Sequence, residues 1–175
     1  MTVPVLETPR LRLRAMTPRD WPAYAALMGS PRAGFMGGPL AERAAWGVFC
    51  HDVAGWSLFG MGALMAERRD TRETVGQVQL NNGPLFPETE LGWLLYAGHE
   101  GHGFATEAAA ALRDWALGTR GLARLVSYVH PDNRASHRVA ERLGGVPDRT
   151  APNRPGEEGF TVYRLRAAIA EEAVA

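Results

Sequence analysis

The chain has no lysine, one cysteine, no excess of either charge and no long apolar run, and each absence removes a class of function. All 19 basic residues are arginine, so neither a phosphate-loop lysine nor a Schiff-base lysine is available. They are matched by 19 acidic residues, and a net charge of zero exerts no long-range pull on nucleic acid or an anionic membrane. Neither partner is expected. Cys50 alone cannot form an intramolecular disulfide, and its place in an apolar helical stripe predicts a buried thiol rather than a nucleophile. No stretch reaches the roughly 18 apolar residues of a membrane span, and the first seven residues lack the basic and apolar regions of a leader, so a cytoplasmic protein is expected. A length of 175 residues suits one domain, 1–175, able to bury roughly 70 % of its unfolded surface.

The most informative segment is Glu100-Gly101-His102-Gly103-Phe104-Ala105-Thr106-Glu107-Ala108, between an apolar run (Leu91 to Tyr96) and an alanine-rich helical pattern. A strand, a glycine turn and a helix start aim several free backbone N–H groups at one anion, and Gly101 and Gly103 let the backbone come close to it. The dinucleotide fingerprint would need glycine or alanine where Thr106 stands. His99-Glu100-Gly101-His102 is superficially like a helical zinc motif, but its histidines straddle the glycine turn, and no metal is expected.

Hydropathy patterning predicts the elements around this cradle. Charged and apolar residues alternate over Arg10 to Met16, the mark of a strand with one wet face. Thr17-Pro18-Arg19-Asp20 is a helix start, followed by Trp21, Tyr24, Ala25 and Met28 at helical spacing, with Gly29 and Pro31 as a stop. Residues 30–39 form a loop suited to closing over a substrate, after which Pro39 opens a helix with Trp46, Phe49, Cys50 and Val53 on one face. Strands are predicted at 60–67, 74–80, 90–96, 125–130 and 160–165, with helices at 104–117 and from an Asp132 cap to Gly144-Gly145. The helix between strands 90–96 and 125–130 makes that pair parallel with a right-handed crossover. The five tryptophans read as core.

With these elements in order, the sequence resembles the GNAT superfamily of N-acetyltransferases, in its ribosomal-protein N-terminal (RimJ/RimL-like) branch. Glu100, Gly103 and Ala105 fall on the specified positions of the family's acetyl-CoA loop, Q/R-x-x-G-x-G/A, and Thr106-Glu107-Ala108 continues it in that branch's manner. Pro131-Asp132-Asn133-Arg134-Ala135-Ser136-His137-Arg138 through Gly144 resembles the segment whose Asn and Ser face the pantetheine arm, and Thr8 to Arg14 is similar to the first strand. The resemblance spans nearly the whole chain. It implies an α/β (α+β) fold with a mixed, mostly antiparallel sheet splayed between its fourth and fifth strands and flanked by about four helices. It further implies acetyl-CoA as cosubstrate with no metal. Cofactor contacts would come from backbone N–H groups of a strand bulge near Leu94, Leu95 and Tyr96, which would meet the thioester carbonyl, from the loop residues Gly101, His102, Gly103, Phe104, Ala105 and Thr106, and from Asn133 and Arg138 of the following helix.

Two positions depart from the family pattern. Glu100 puts a carboxylate where an amide or cation is usual, and beside a diphosphate that requires its side chain to turn outward. The frequent tyrosine acid, seven residues after the Asn, would fall at Ala140; in the resembled branch a serine at the place of Ser136 is the usual substitute, which implies Ser136 as donor to a departing thiolate, against plain helix packing. Glu90, opening the strand that leads to the loop, is the candidate to order a proton-accepting water, against the alternative of a solvated strand-end carboxylate. Arg134 and Arg138 share a helix face and suit phosphates or solvent equally. His130 reads as structural, while His102 and His137 are expected to face solvent. The leading acceptor is a protein N-terminal α-amine; the alternatives are a small-molecule or antibiotic amine, or a catalytically silent acyl-CoA-binding module. A monomer and a homodimer remain equally open.

Overall fold

A computed structural model describes residues 2–166. The alternating segment is a strand, β2 (Leu11–Ala15), preceded by a two-residue strand β1 (Leu6–Glu7). Leu11 and Leu13 are fully buried. The other face is not simply wet: the Arg14 guanidinium pairs with Asp20 at 2.8 Å and Glu67 at 2.8 Å. Asp20 also accepts the Thr17 backbone N–H at 2.8 Å, so the predicted capping acid holds both the helix start and the strand. A short 3-10 turn there leads into α1 (Trp21–Met28).

Pro31–Met36 is a 3-10 turn, and α2 runs Glu42–Phe59, starting three residues beyond Pro39. Its inward face is Ala45, Phe49, Asp52 and Trp56. The expected stripe is therefore rotated. Phe49 is inward, but Trp46 and Val53 are exposed, and Cys50 is an exposed thiol rather than a buried one. The physical reason is that apolar residues occupy two adjacent stripes. The one containing a carboxylate wins because Tyr24 and Gln77 satisfy Asp52 inside the fold.

The hairpin forms as β3 (Ala63–Arg68) and β4 (Thr74–Asn81), followed by β5 (Glu90–Leu95), α3 (Phe104–Asp114), β6 (Leu125–Val129), α4 (Arg134–Arg142), β7 (Val146–Pro147) and β8 (Thr161–Leu165). After α3 the chain makes one wider π turn, Trp115–Thr119. The eight strands lie in the order β1-β2-β3-β4-β5-β6-β8-β7. Every neighbouring pair is antiparallel except β5 and β6, which are parallel and meet at one position, Glu90 opposite Val126. Beyond that point the two strands part. They are the fourth and fifth strands of the sequence prediction, and α3 covers the sheet beside the opening they leave.

The N-terminal segment fixes the start of α3. Glu107 accepts from Thr8 Oγ1 at 2.6 Å and from the Arg10 backbone N–H at 2.9 Å, while Arg10 Nη1 donates to the His102 carbonyl at 2.9 Å. Burial alone would raise the Glu107 pKa, but the bonds from Thr8 and Arg10 outweigh it and hold the carboxyl below its usual value. The glycine turn is thereby anchored to the sheet on one side. Among the described residues no helix is long and apolar enough to cross a membrane.

Candidate active site

Gly101 and Gly103 have φ of 81° and 80°, the left-handed conformation that glycine adopts without penalty. A Cβ at Gly101 would meet no protein atom within 4 Å, and one at Gly103 only Arg10 Nη2 at 3.5 Å. Backbone conformation, rather than crowding by the protein, is what requires glycine here. Gly103 is the N-cap of α3 and no side chain caps that helix, so its first N–H groups are left for an anion. This uncapped terminus fits a diphosphate.

The cradle opens onto a groove of about 570 Å³. One wall is Gly101, Gly103, Ala105 and Thr106; β5 contributes Leu94 and Leu95; α4 contributes Asn133, Ser136 and Arg138 from the opposite side. Arg142 also lines it, whereas Arg134 does not. Three other expected residues sit elsewhere. His102 is exposed, and Phe104 is buried beneath the Arg10 guanidinium, 4.8 Å from its ring centre. Tyr96 lines neither the groove nor the cavity beside it, and packs with Met16, Tyr24 and Met65.

The backbone of β5 refines this further. Its register against β4 is unbroken from Glu90 to Leu95, and the one register shift nearby lies between Ala66 and Glu67. Tyr96 N–H donates to the Val75 carbonyl at 2.9 Å. Because alternate residues of an antiparallel ladder face the same neighbour, Leu94 also turns its backbone to β4 and Leu95 turns toward the opening. No bulge re-aims the N–H groups of Leu94 and Tyr96.

Asn133, not Asp132, caps α4: its side-chain oxygen accepts the Ser136 backbone N–H at 3.1 Å. The two candidate residues are thus locked together at the helix start, and both line the groove. The His137 ring is held between the Tyr163 hydroxyl, 2.9 Å from Nδ1, and the Pro131 carbonyl, 3.2 Å from Nε2, rather than facing solvent.

A second cavity, of about 260 Å³, shares Trp93, Leu94, Asn133 and Ser136 with the groove, as well as Phe35 and Met36 of the 31–36 turn. Glu90 lies in its wall and is 6 % exposed, so the strand-end carboxylate is not solvated. Burial raises its pKa, opposed by the nearby Arg154 charge and by the hydrogen bond from Asn81 at 2.9 Å. Asp52 is also in the lining; it accepts from Gln77 at 2.8 Å, and its carboxylate, 3.7 Å from His51 Nδ1, raises the pKa of that ring. The Tyr128 hydroxyl, also in the lining, is buried without a partner among the described residues. Asp52, Tyr128 and Arg154 escaped the sequence reading. Asp52 alone left a signal, an acid three residues after Phe49 and four before Trp56, at inward helical spacing. The His130 ring lies between Phe35 and Phe160, and its Nδ1 accepts the Asp132 N–H at 3.1 Å.

Comparison with known proteins agrees with this architecture. Residues 10–146 match the family model of the acetyltransferase (GNAT) domain. The crystal structure of an acetyltransferase from Agrobacterium tumefaciens str. C58 shares 54 % sequence identity, covers 95 % of this chain and 96 % of its own, and superposes with a TM-score of 0.90. The uncharacterized N-acetyltransferase YoaA of Bacillus subtilis (strain 168) is 27 % identical over 153 residues, 81 % of this chain and 82 % of that protein. Mycobacterium smegmatis RimJ, solved in complex with a CoA disulfide, shares the fold at 21 % identity and a TM-score of 0.69, over 95 % of this chain and 87 % of its own. The match over residues 10–146, on a sheet that parts between β5 and β6 beside an uncapped glycine turn, shows that the chain belongs to the GNAT family and is an N-acetyltransferase.

Proposed function

We propose that this enzyme takes the acetyl group of acetyl-CoA and passes it to a protein N-terminal α-amine. The observation that carries the reading is Glu90, a buried carboxylate of raised pKa in a cavity that joins the cofactor groove at Trp93, Leu94, Asn133 and Ser136. The cosubstrate supplies an activated thioester. The N–H groups of residues 101–106 would hold its diphosphate, Arg138 its phosphates from the α4 side, and the Asn133 amide its pantetheine arm. Leu95 N–H, turned toward the opening, is the donor for the thioester carbonyl oxygen.

In this arrangement the amine enters from the Glu90 cavity. A C–N bond forms as the C–S bond breaks; the amine proton passes to Glu90, directly or through one water, and the Ser136 hydroxyl hydrogen-bonds to the departing sulfur. Asp52, Glu90 and Glu157 outnumber Arg154 among the carboxylates and arginines of the lining, which favours a cationic amine head group. An α-amine with pKa near 8 is roughly 10 % neutral at pH 7, while a lysine amine is neutral to less than about 0.1 %, a difference of about 3 kcal/mol. A single carboxylate base suits the easier acceptor. The small volume of the cavity favours a small-molecule amine as the second reading. Thiol release from acetyl-CoA with a panel of free-N-terminus peptides, N-terminally blocked lysine peptides and small amines tests the proposal: the free-N-terminus peptides are expected to turn over fastest, and turnover with small amines alone would replace it.

A further inference from the structure

Glu100 does not lie idle outside the cofactor groove. Its Oε1 accepts from Arg32 Nη2, its Oε2 accepts the Gly98 backbone N–H at 2.9 Å, and both Glu100 and Arg32 line the groove. The same Arg32 nitrogen donates to the Leu95 carbonyl at 3.2 Å, on the edge of β5 that faces the opening. Arg32 comes from the 31–36 turn between α1 and α2, whose first N–H is held by the Ser30 hydroxyl at 3.3 Å. Its guanidinium therefore crosses from that turn to the glycine loop at the mouth of the groove. Two acceptors use one of its nitrogens, and Nε and Nη1 have no partner among the described residues. The side chain is 45 % exposed, so nothing buries those donors away from an incoming anion.

We infer that Arg32 is a diphosphate-binding residue and that Glu100 is its positioning residue. The inference rests on the groove being the acetyl-CoA site. A carboxylate beside a diphosphate repels it; a carboxylate that clamps a guanidinium contributes a net-neutral pair whose remaining N–H groups still point outward. The cation absent at position 100 is supplied from 68 residues earlier in the chain. Arginine rather than lysine is required, because one planar fork must satisfy Glu100, Leu95 and a phosphate together. Burial is the largest single influence on the Glu100 carboxyl and would raise its pKa, but the backbone hydrogen bonds at Glu100 and Gly98 together with the bond and charge of Arg32 outweigh it and hold it below the usual value, so the clamp is charged at neutral pH.

Isothermal titration with CoA and dephospho-CoA, on the wild type, Arg32→Gln, Glu100→Gln and the double variant, tests this without any turnover. Arg32→Gln is expected to weaken both ligands about tenfold or more. Glu100→Gln should weaken binding in the wild-type background and tighten it in the Arg32→Gln background, where the carboxylate is no longer neutralised. An Arg32→Gln protein with wild-type affinity overturns the inference. So does Glu100→Gln tightening binding when Arg32 is present, which would make Glu100 a repulsive group only. An arginine effect confined to CoA would move the contact to the 3′-phosphate and overturn the diphosphate assignment. Failure of the wild type to bind CoA at all would refute the groove assignment instead.

Discussion

Glu90→Gln exchanges one oxygen for nitrogen in the wall of the acceptor cavity and keeps the shape of the side chain. The amide oxygen can still accept from Asn81, and Arg154, 3.4 Å from Glu90, retains its second carboxylate partner, Glu157. What disappears is a buried charge and a base. The effects on folding and catalysis should therefore have opposite signs. Burial holds the folded pKa of Glu90 above its unfolded value of about 4.3, so folding favours the protonated acid; that contribution is complete below about pH 4 and is lost as pH rises through the folded pKa. Near pH 8 the carboxylate is a cost of about 1.4 kcal/mol for each unit of elevation, and glutamine avoids it. For a chain of this size each kcal/mol recovered raises Tm by about 2–4 °C, and the gain should vanish as the pH approaches about 4. Loss of a general base lowers kcat by about 10²–10⁴-fold. Thermal unfolding at both pH values and steady-state thiol release at pH 7 measure the two effects. A Tm that falls at pH 8, with a rate within about fivefold of wild type, would show that Glu90 is a structural carboxylate held by Arg154 and Asn81.

The cradle and the leaving group have their own tests. Gly103→Val forces a β-branched residue into a left-handed backbone at φ 80°, and CoA affinity should fall by well over tenfold while circular dichroism still shows a folded protein; unchanged affinity would remove the loop from the diphosphate site. Ser136→Ala deletes the hydroxyl but leaves the backbone N–H that Asn133 accepts, so kcat should drop while the CoA dissociation constant stays within a few-fold. A steady kcat would assign the serine to packing.

The parts of this site that were legible in the sequence are those dictated by local backbone chemistry. A glycine turn between an apolar strand and an alanine-rich helix has few other uses, and Gly101 and Gly103 do take left-handed conformations at an uncapped helix start. The parallel pairing of β5 and β6 was legible because the helical pattern at 104–117 separates two apolar runs, whereas the parting of the sheet between them was implied only by the family resemblance. Where two patterns competed, sequence reasoning misplaced the result. Residues 46, 50 and 53 and residues 45, 49, 52 and 56 both have helical spacing, and the second stripe wins only through partners on α1 and β4, Tyr24 and Gln77, that no local pattern reveals. The cap of α4 moved by one residue because Asp132 and Asn133 have nearly equal capping propensity. Strands β1 and β7 have two residues each, too few to show a period. The Arg32–Glu100 pair is a tertiary event across 68 positions, and Glu100 alone reads only as a misplaced charge.

The central claim, acetyl transfer to an α-amine, is tested most directly by locating the acetyl group. A peptide with a free N-terminus and one internal lysine, incubated with the enzyme and acetyl-CoA, should carry the label on its α-amine in tandem mass spectra. The rate should rise between about pH 6.5 and 8.5 as that amine loses its proton. Label found mainly on the lysine side chain, or no peptide label alongside rapid acetylation of small amines, would contradict the account.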